Sequence, residues 1–240
     1  NPGGSAAGGG VCEAGLGACG GVCVDLASDR QNCGACGETC SGGGRLCLEG
    51  ACQCPPGTTD CDGLCVDLTG SAAHCGACGR ACGGALLCTS GVCAVDGCGG
   101  GRFQDHDYLV CSGSLNHAAA RDRCREFGLN LATVDSAEEV QFITDFTGGE
   151  VWIGLNDRNA EGTYRWVNTD LTATSALNNG ELVSFQNWEA GEPNNDDHCS
   201  GGFLSIGQTC NDEDCIHTRI DGTWNDAVCG NSMAYLCESQ

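Results

Sequence analysis

The sequence predicts an α+β domain, two helices with short antiparallel sheets and long loops, set behind a disulfide-rich, loop-dominated tandem repeat. Three observations predict it. A pattern of eight cysteines occurs twice between residues 12 and 93. Beyond Cys93 the cysteines thin out and all four tryptophans appear. Two segments with helix caps then precede Trp152-Ile153-Gly154-Leu155, an apolar run that reads as a buried strand.

The repeat comes first in the chain, after a Gly- and Ser-rich stretch, residues 1–11, that reads as a flexible linker. Repeat 1, residues 12–53, has cysteines at 12, 19, 23, 33, 36, 40, 47 and 52. Repeat 2, residues 54–97, has them at 54, 61, 65, 75, 78, 82, 88 and 93. Cys23-Val24-Asp25-Leu26 returns as Cys65-Val66-Asp67-Leu68, and Cys33-Gly34-Ala35-Cys36-Gly37 as Cys75-Gly76-Ala77-Cys78-Gly79. Repetition this close means duplicated units. Each is too short and too poor in large apolar side chains to bury a sufficient core unaided. Eight cysteines allow 105 pairings, among which sequence does not choose. Each bridge contributes roughly 2–4 kcal/mol, mostly by constraining the unfolded chain. The Cys-x-x-Cys tetrads also have zinc-ribbon or redox spacing. Disulfides are the stronger reading, because the 24 cysteines are even in number and make up a tenth of the chain.

That density places the protein in an oxidising, extracellular space, secreted or attached to a cell surface. No long apolar run is present, so no membrane insertion is expected. With no signal peptide, the numbered chain reads as the mature product of export, released from or linked to an anchor. The formal charge is −22, and all ten basic residues are arginine. Such a chain repels nucleic acid and anionic membranes and attracts cations. Most of the acids serve solubility.

Residues 98–240 are long enough for a true core. Arg102 to Val110 alternates loosely and reads as a strand or hairpin. Asn116 caps a helix with Ala120, Cys124 and Phe127 on one face, ended at Gly128. Ser136 and Glu139 form a capping box for a second helix, with Val140 and Ile143 inward and Gly148-Gly149 as the stop. After the Trp152 strand come loops and short strands. Trp166 and Trp188 read as core, and Trp224 as an anchor beneath Asn225 and Asp226. Tyr235-Leu236-Cys237 reads as the closing strand.

Chemistry concentrates between Glu192 and Asp226. Glu192-Pro193-Asn194, Glu213-Asp214-Cys215 and Trp224-Asn225-Asp226 supply oxygens from separate loops, which suits a hard cation such as Ca2+. A cis bond before Pro193 lets Glu192 and Asn194 point the same way. In this order the three motifs resemble the C-type lectin family, and the resemblance covers residues 98–240. It implies a calcium- and carbohydrate-binding domain. Two registers are open for the framework cysteine, Cys199 with Asp197 or Cys215 with Glu213-Asp214. Cys215 fits better, nine residues before Trp224. The segment from about Asn195 to Asn211 is then an insertion bordering the site.

The resemblance implies that Glu192, Asn194, Glu213, Asn225 and Asp226 hold the principal calcium and, through it, two vicinal sugar hydroxyls. It further implies a second calcium site of Asp157, Glu161, Asn195 and Asp214, with Glu213 bridging both ions. Glu-Pro-Asn implies mannose-type sugars: mannose, fucose, glucose and N-acetylglucosamine. It also implies the bridges Cys124–Cys237 and Cys215–Cys229, with Cys98–Cys111 as the longer form's extra bridge; Cys199–Cys210 is left by elimination. The repeat pattern in turn resembles the stigma-specific cysteine-rich family, a module read as a rigid stalk. His198 and His217 lie near the site without a metal-ligand partner, and read as surface or structural. An enzyme is not expected: Glu192 and Glu213 are a formal glycosidase pair, but the metal claims both. The partners expected are glycans or glycoconjugates in cell adhesion. Weak single-site binding then requires a homo-oligomer, a filament or surface display. The rival reading is a structural or protein-binding relative without sugar binding.

Overall fold

The computed structural model describes residues 12–84, 86–167, 180–195 and 212–239. The expected linker, the Cys199–Cys210 bridge, His198 and the insertion acids Asp196 and Asp197 lie outside them. The described chain separates into two compact units, Asn1–Ala81 and Cys82–Gln240.

The first unit is built from two-stranded hairpins: β1 (Gly17–Cys19) with β2 (Val22–Val24), β3 (Leu46–Leu48) with β4 (Ala51–Gln53), and β5 (Thr59–Cys61) with β6 (Leu64–Val66). Cystines staple them: Cys12–Cys23, Cys19–Cys36, Cys33–Cys47 and Cys40–Cys52. In the second copy Cys54–Cys65, Cys61–Cys78 and Cys82–Cys93 repeat the first, second and fourth of these. Cys75 and Cys88 stand where Cys33 and Cys47 stand in the first copy, and both are disulfide-bonded. The Cys-x-x-Cys tetrads therefore offer no thiolates to zinc. Cys33, Cys40, Cys47, Cys61 and Cys75 are among the few buried side chains of this unit.

The division falls at residue 81, ahead of the boundary expected near residues 95–98. The last hairpin, β7 (Leu87–Thr89) with β8 (Val92–Ala94), runs through a tight turn into β9 (Cys98–Phe103), and Val95 bridges Cys98. Gly100 lies so close to this hairpin that a Cβ there would sit 2.7 Å from the Cys93 carbonyl oxygen. This close packing makes the end of the second repeat part of the larger unit.

The larger unit is α+β. Its sheet runs β15 (Trp224–Ala227), β14 (Cys215–Thr218), β12 (Val151–Asn156), β16 (Met233–Glu238), β10 (His106–Leu115) and β9, with β11 (Asn130–Leu131) beside β16 and β13 (Arg165–Trp166) beside β12. All pairings are antiparallel except β12 with β16. Helix α1 (His117–Glu126) starts at Asn116, whose side chain accepts from the Ala119 amide, and buries Ala120 and Cys124. Helix α2 (Ala137–Thr147) starts at Ser136 and stops at Gly148, which adopts φ 60°. That left-handed conformation suits glycine. The box at its start differs from expectation. Ser136 accepts from the Glu139 amide, but the Glu139 carboxylate takes the Asp135 amide and the Tyr108 hydroxyl. The core gathers Tyr108, Ile143, Ile153, Leu155, Trp166, Ile216, Trp224 and Leu236. Cys98–Cys111, Cys124–Cys237 and Cys215–Cys229 tie its strands and first helix.

Candidate functional site

The hairpin of β14 and β15 is the platform. Its register sets Ile216 opposite Asp226 and His217 opposite Asn225. Trp224 fixes its inner side: it is fully buried and meets Phe185, Trp166 and Trp188 edge-on at centroid distances of 5.8, 6.0 and 5.8 Å. Trp188 also forms a parallel bridge with Trp224, which brings the segment leading to Glu192 alongside β15.

The Glu192–Pro193 bond is cis. The following amides of Asn194 and Asn195 donate to the two carboxylate oxygens of Asp226, at 3.3 and 2.8 Å. Asp226 is fully buried, so these charge-assisted bonds hook the loop onto β15. Asn195 then accepts the Glu213 amide at 3.1 Å, which brings the third motif to the same place. Glu192, Asn194, Asn195, Glu213, Asn225 and Asp226 thus share one loop cluster. Burial, then a hydrogen bond to Asp226 and its charge, raises the Glu192 carboxyl above its ordinary range. One Glu192 oxygen, Oε2, is buried without a hydrogen-bond partner.

A second acidic group lies at the mouth of β12. Ligand atoms of Asp157, Glu161 and Asp214 all lie within 4.8 Å of one another. The Asp157 amide donates to the Asp214 carbonyl, and the Gly162 amide to Asp157 Oδ2 at 2.8 Å. Asp157 Oδ1 is buried and unpartnered. Burial pushes the Asp157 carboxyl up to about 6, and the charges of Glu161 and Asp214 add to it. Burial and neighbouring acids raise Glu161 and Asp214 as well. Asn195 Oδ1 faces the Glu213 amide at the seam between the two groups.

Two residues at the site, Arg219 and Glu189, escaped the motif reading, and the hairpin places His217 beside them. His217 is buried; its Nδ1 lies 3.1 Å from the Thr218 carbonyl and its Nε2 lies 3.2 Å from Asn225 Nδ2. Arg219 donates to Asn225 Oδ1 at 2.8 Å and pairs with Glu189 at 2.5 Å. The signal for them was the hairpin itself, since Asp221-Gly222 turns the chain and alternation then pairs His217 with Asn225.

Loops thus meet over the β14–β15 hairpin in an α+β domain. The family model described as Lectin C-type domain matches residues 113–239, more than half of the chain. The chain belongs to the C-type lectin family, whose members are non-enzymatic binding proteins. It is similar to human C-type lectin domain family 10 member A, with 33% identity over 137 residues covering 57% of this chain and 37% of the relative. It is also similar to chicken hepatic lectin, with 34% identity covering 57% and 56% respectively. The chain thus spans about a third to a half of the length of these curated relatives. A solved mouse scavenger receptor C-type lectin carbohydrate-recognition domain shares 26% identity, covering 59% of this chain and 93% of that one, with a TM-score of 0.47. Among the described residues, no helix is long and apolar enough to cross a membrane.

Proposed function

We propose that the chain is a calcium-dependent lectin for mannose-type sugars, acting outside the cell as an adhesin-like module. The single observation that carries the reading is the buried, unpartnered Oε2 of Glu192, a carboxyl that burial and then neighbouring Asp226 raise above its ordinary range. Two carboxylates crowded together without a cation repel each other; a hard divalent ion relieves the repulsion and takes the spare oxygen. Asp157 Oδ1, buried and spare beside Glu161 and Asp214, makes the same argument for a second ion. All donors are oxygens, which suits calcium and disfavours zinc.

In this reading Glu192, Asn194, Glu213, Asn225 and Asp226 hold the principal ion, and Asp157, Glu161, Asn195 and Asp214 the second. Calcium bound there supplies open coordination positions for two sugar hydroxyls. The chain's own part is to orient those hydroxyls: carboxylates accept from them, and the amides of Asn194 and Asn225 donate. Residues 12–93 belong to the reading as paired extracellular modules that resemble the stigma-specific cysteine-rich family. Several copies, by oligomerisation or display, raise millimolar single-site binding to useful avidity.

Preference follows from which partner donates. Glu192→Gln combined with Asn194→Asp exchanges donor and acceptor across the ion. On a glycan array in calcium, the double variant is expected to move from mannose-type to galactose-type sugars. An unchanged preference contradicts the assignment of these two residues.

A further inference from the structure

The Asn225 amide has one allowed orientation. A guanidinium can only donate and a main-chain carbonyl can only accept. Asn225 Oδ1 meets Arg219 Nη2 at 2.8 Å, and Asn225 Nδ2 meets both the Asp226 carbonyl oxygen and His217 Nε2. Both oxygens that this strand offers a cation, the Asn225 side chain and the Asp226 main chain, are therefore engaged by groups of the chain itself. Arg219 is held in place twice. Its amide donates to the Thr223 carbonyl at 2.7 Å across the turn, and its guanidinium pairs with Glu189, whose own amide donates to the Trp224 carbonyl at 2.9 Å. Hairpin and loop thus converge on a guanidinium aimed at a cation ligand.

We propose that Arg219 is a positioning residue that withholds Asn225 from the principal cation and so lowers the affinity of the site. It rests on the calcium reading above. To bind, the ion must displace the guanidinium from Asn225 Oδ1 and free the Asp226 carbonyl by turning the same amide. The guanidinium keeps its existing pair with Glu189, so the displaced charge retains a partner. The site then fills only where calcium is abundant, as it is outside cells.

The test is calcium affinity in the full chain, measured by isothermal titration and by terbium luminescence excited through the tryptophans. Arg219 is 37% exposed, so its replacement spares the fold. Arg219→Gln is expected to bind calcium about tenfold tighter, the scale of one hydrogen bond to a charged group. Arg219→Lys keeps the charge but cannot span Glu189 and Asn225 together, and should fall between the two. The gain should persist in high salt, which screens a general charge effect but not a direct contact. An affinity unchanged or weakened in Arg219→Gln, or a gain that vanishes in salt, overturns the proposal and leaves calcium binding standing. If neither chain takes up calcium or terbium, both readings fall together.

Discussion

Two cores of different chemistry stand in this chain. In the first unit the buried side chains are mostly cystine sulfur, with Cys33, Cys40 and Cys47 clustered together. In the second, Trp152, Trp224, Tyr108, Ile153, Leu155 and Leu236 make an apolar core, and bridges including Cys98–Cys111, Cys124–Cys237 and Cys215–Cys229 reinforce it. A crosslink acts mainly by restricting the unfolded chain, whereas buried apolar surface favours the folded one. The first arrangement builds a small module with few large apolar side chains. The second holds loops against a sheet, and the candidate site, the oxygen-bearing loops around Asp226, lies in it.

The sharpest way to break that contrast is to remove a staple from the sulfur core. Cys33→Ser combined with Cys47→Ser should cost about 2–5 kcal/mol, more than so small a unit can lose. Limited proteolysis is expected to digest residues 12–81 while the fragment from about residue 82 onward survives. Equal resistance in the variant and the parent would contradict the distinction.

A smaller effect sharpens the other side. Burial pushes the Glu139 carboxyl from 4.5 up to about 7. The folded chain therefore keeps a proton that the unfolded chain releases above about pH 4.5. Stability from this group is present in full below that value and is lost as pH rises through about 7. Buried His117, pushed down to about 4, acts in the opposite direction, losing stability as pH falls. That contribution is common to the parent and Glu139→Gln, and cancels in their difference. Over about pH 4.5–7.5 the variant should gain about 1–2 kcal/mol on the parent, read by chemical denaturation. Parallel profiles would show that Glu139 does not titrate between the two states.

The contrast also explains what could be read from the sequence. Local chemistry was legible: Asn116 and Ser136 announced both helices because a side-chain oxygen before an apolar period has few other uses. The loop motifs were legible as a group because their residue types only make sense together. The pairing of the repeat cysteines was not, since eight identical side chains carry no label and only topology selects Cys19 with Cys36. The compact-unit division at residue 81 and the repeat boundary mark different things: cysteine spacing marks the repeat, while the packing of Gly100 on the last hairpin marks the unit. The Glu139 carboxylate turned to Tyr108 for the same reason: a tertiary partner outcompeted the local one. Arg219 was hidden because its link to Asn225 exists only once the hairpin register is known.

All of this converges on whether the oxygen cluster takes a cation and, through it, a sugar. Passing the chain over immobilised mannose in calcium, with galactose resin in parallel, tests that most directly. Retention on mannose and prompt release by a chelator is the result expected. Passage straight through in calcium, or retention that a chelator does not disturb, would contradict it.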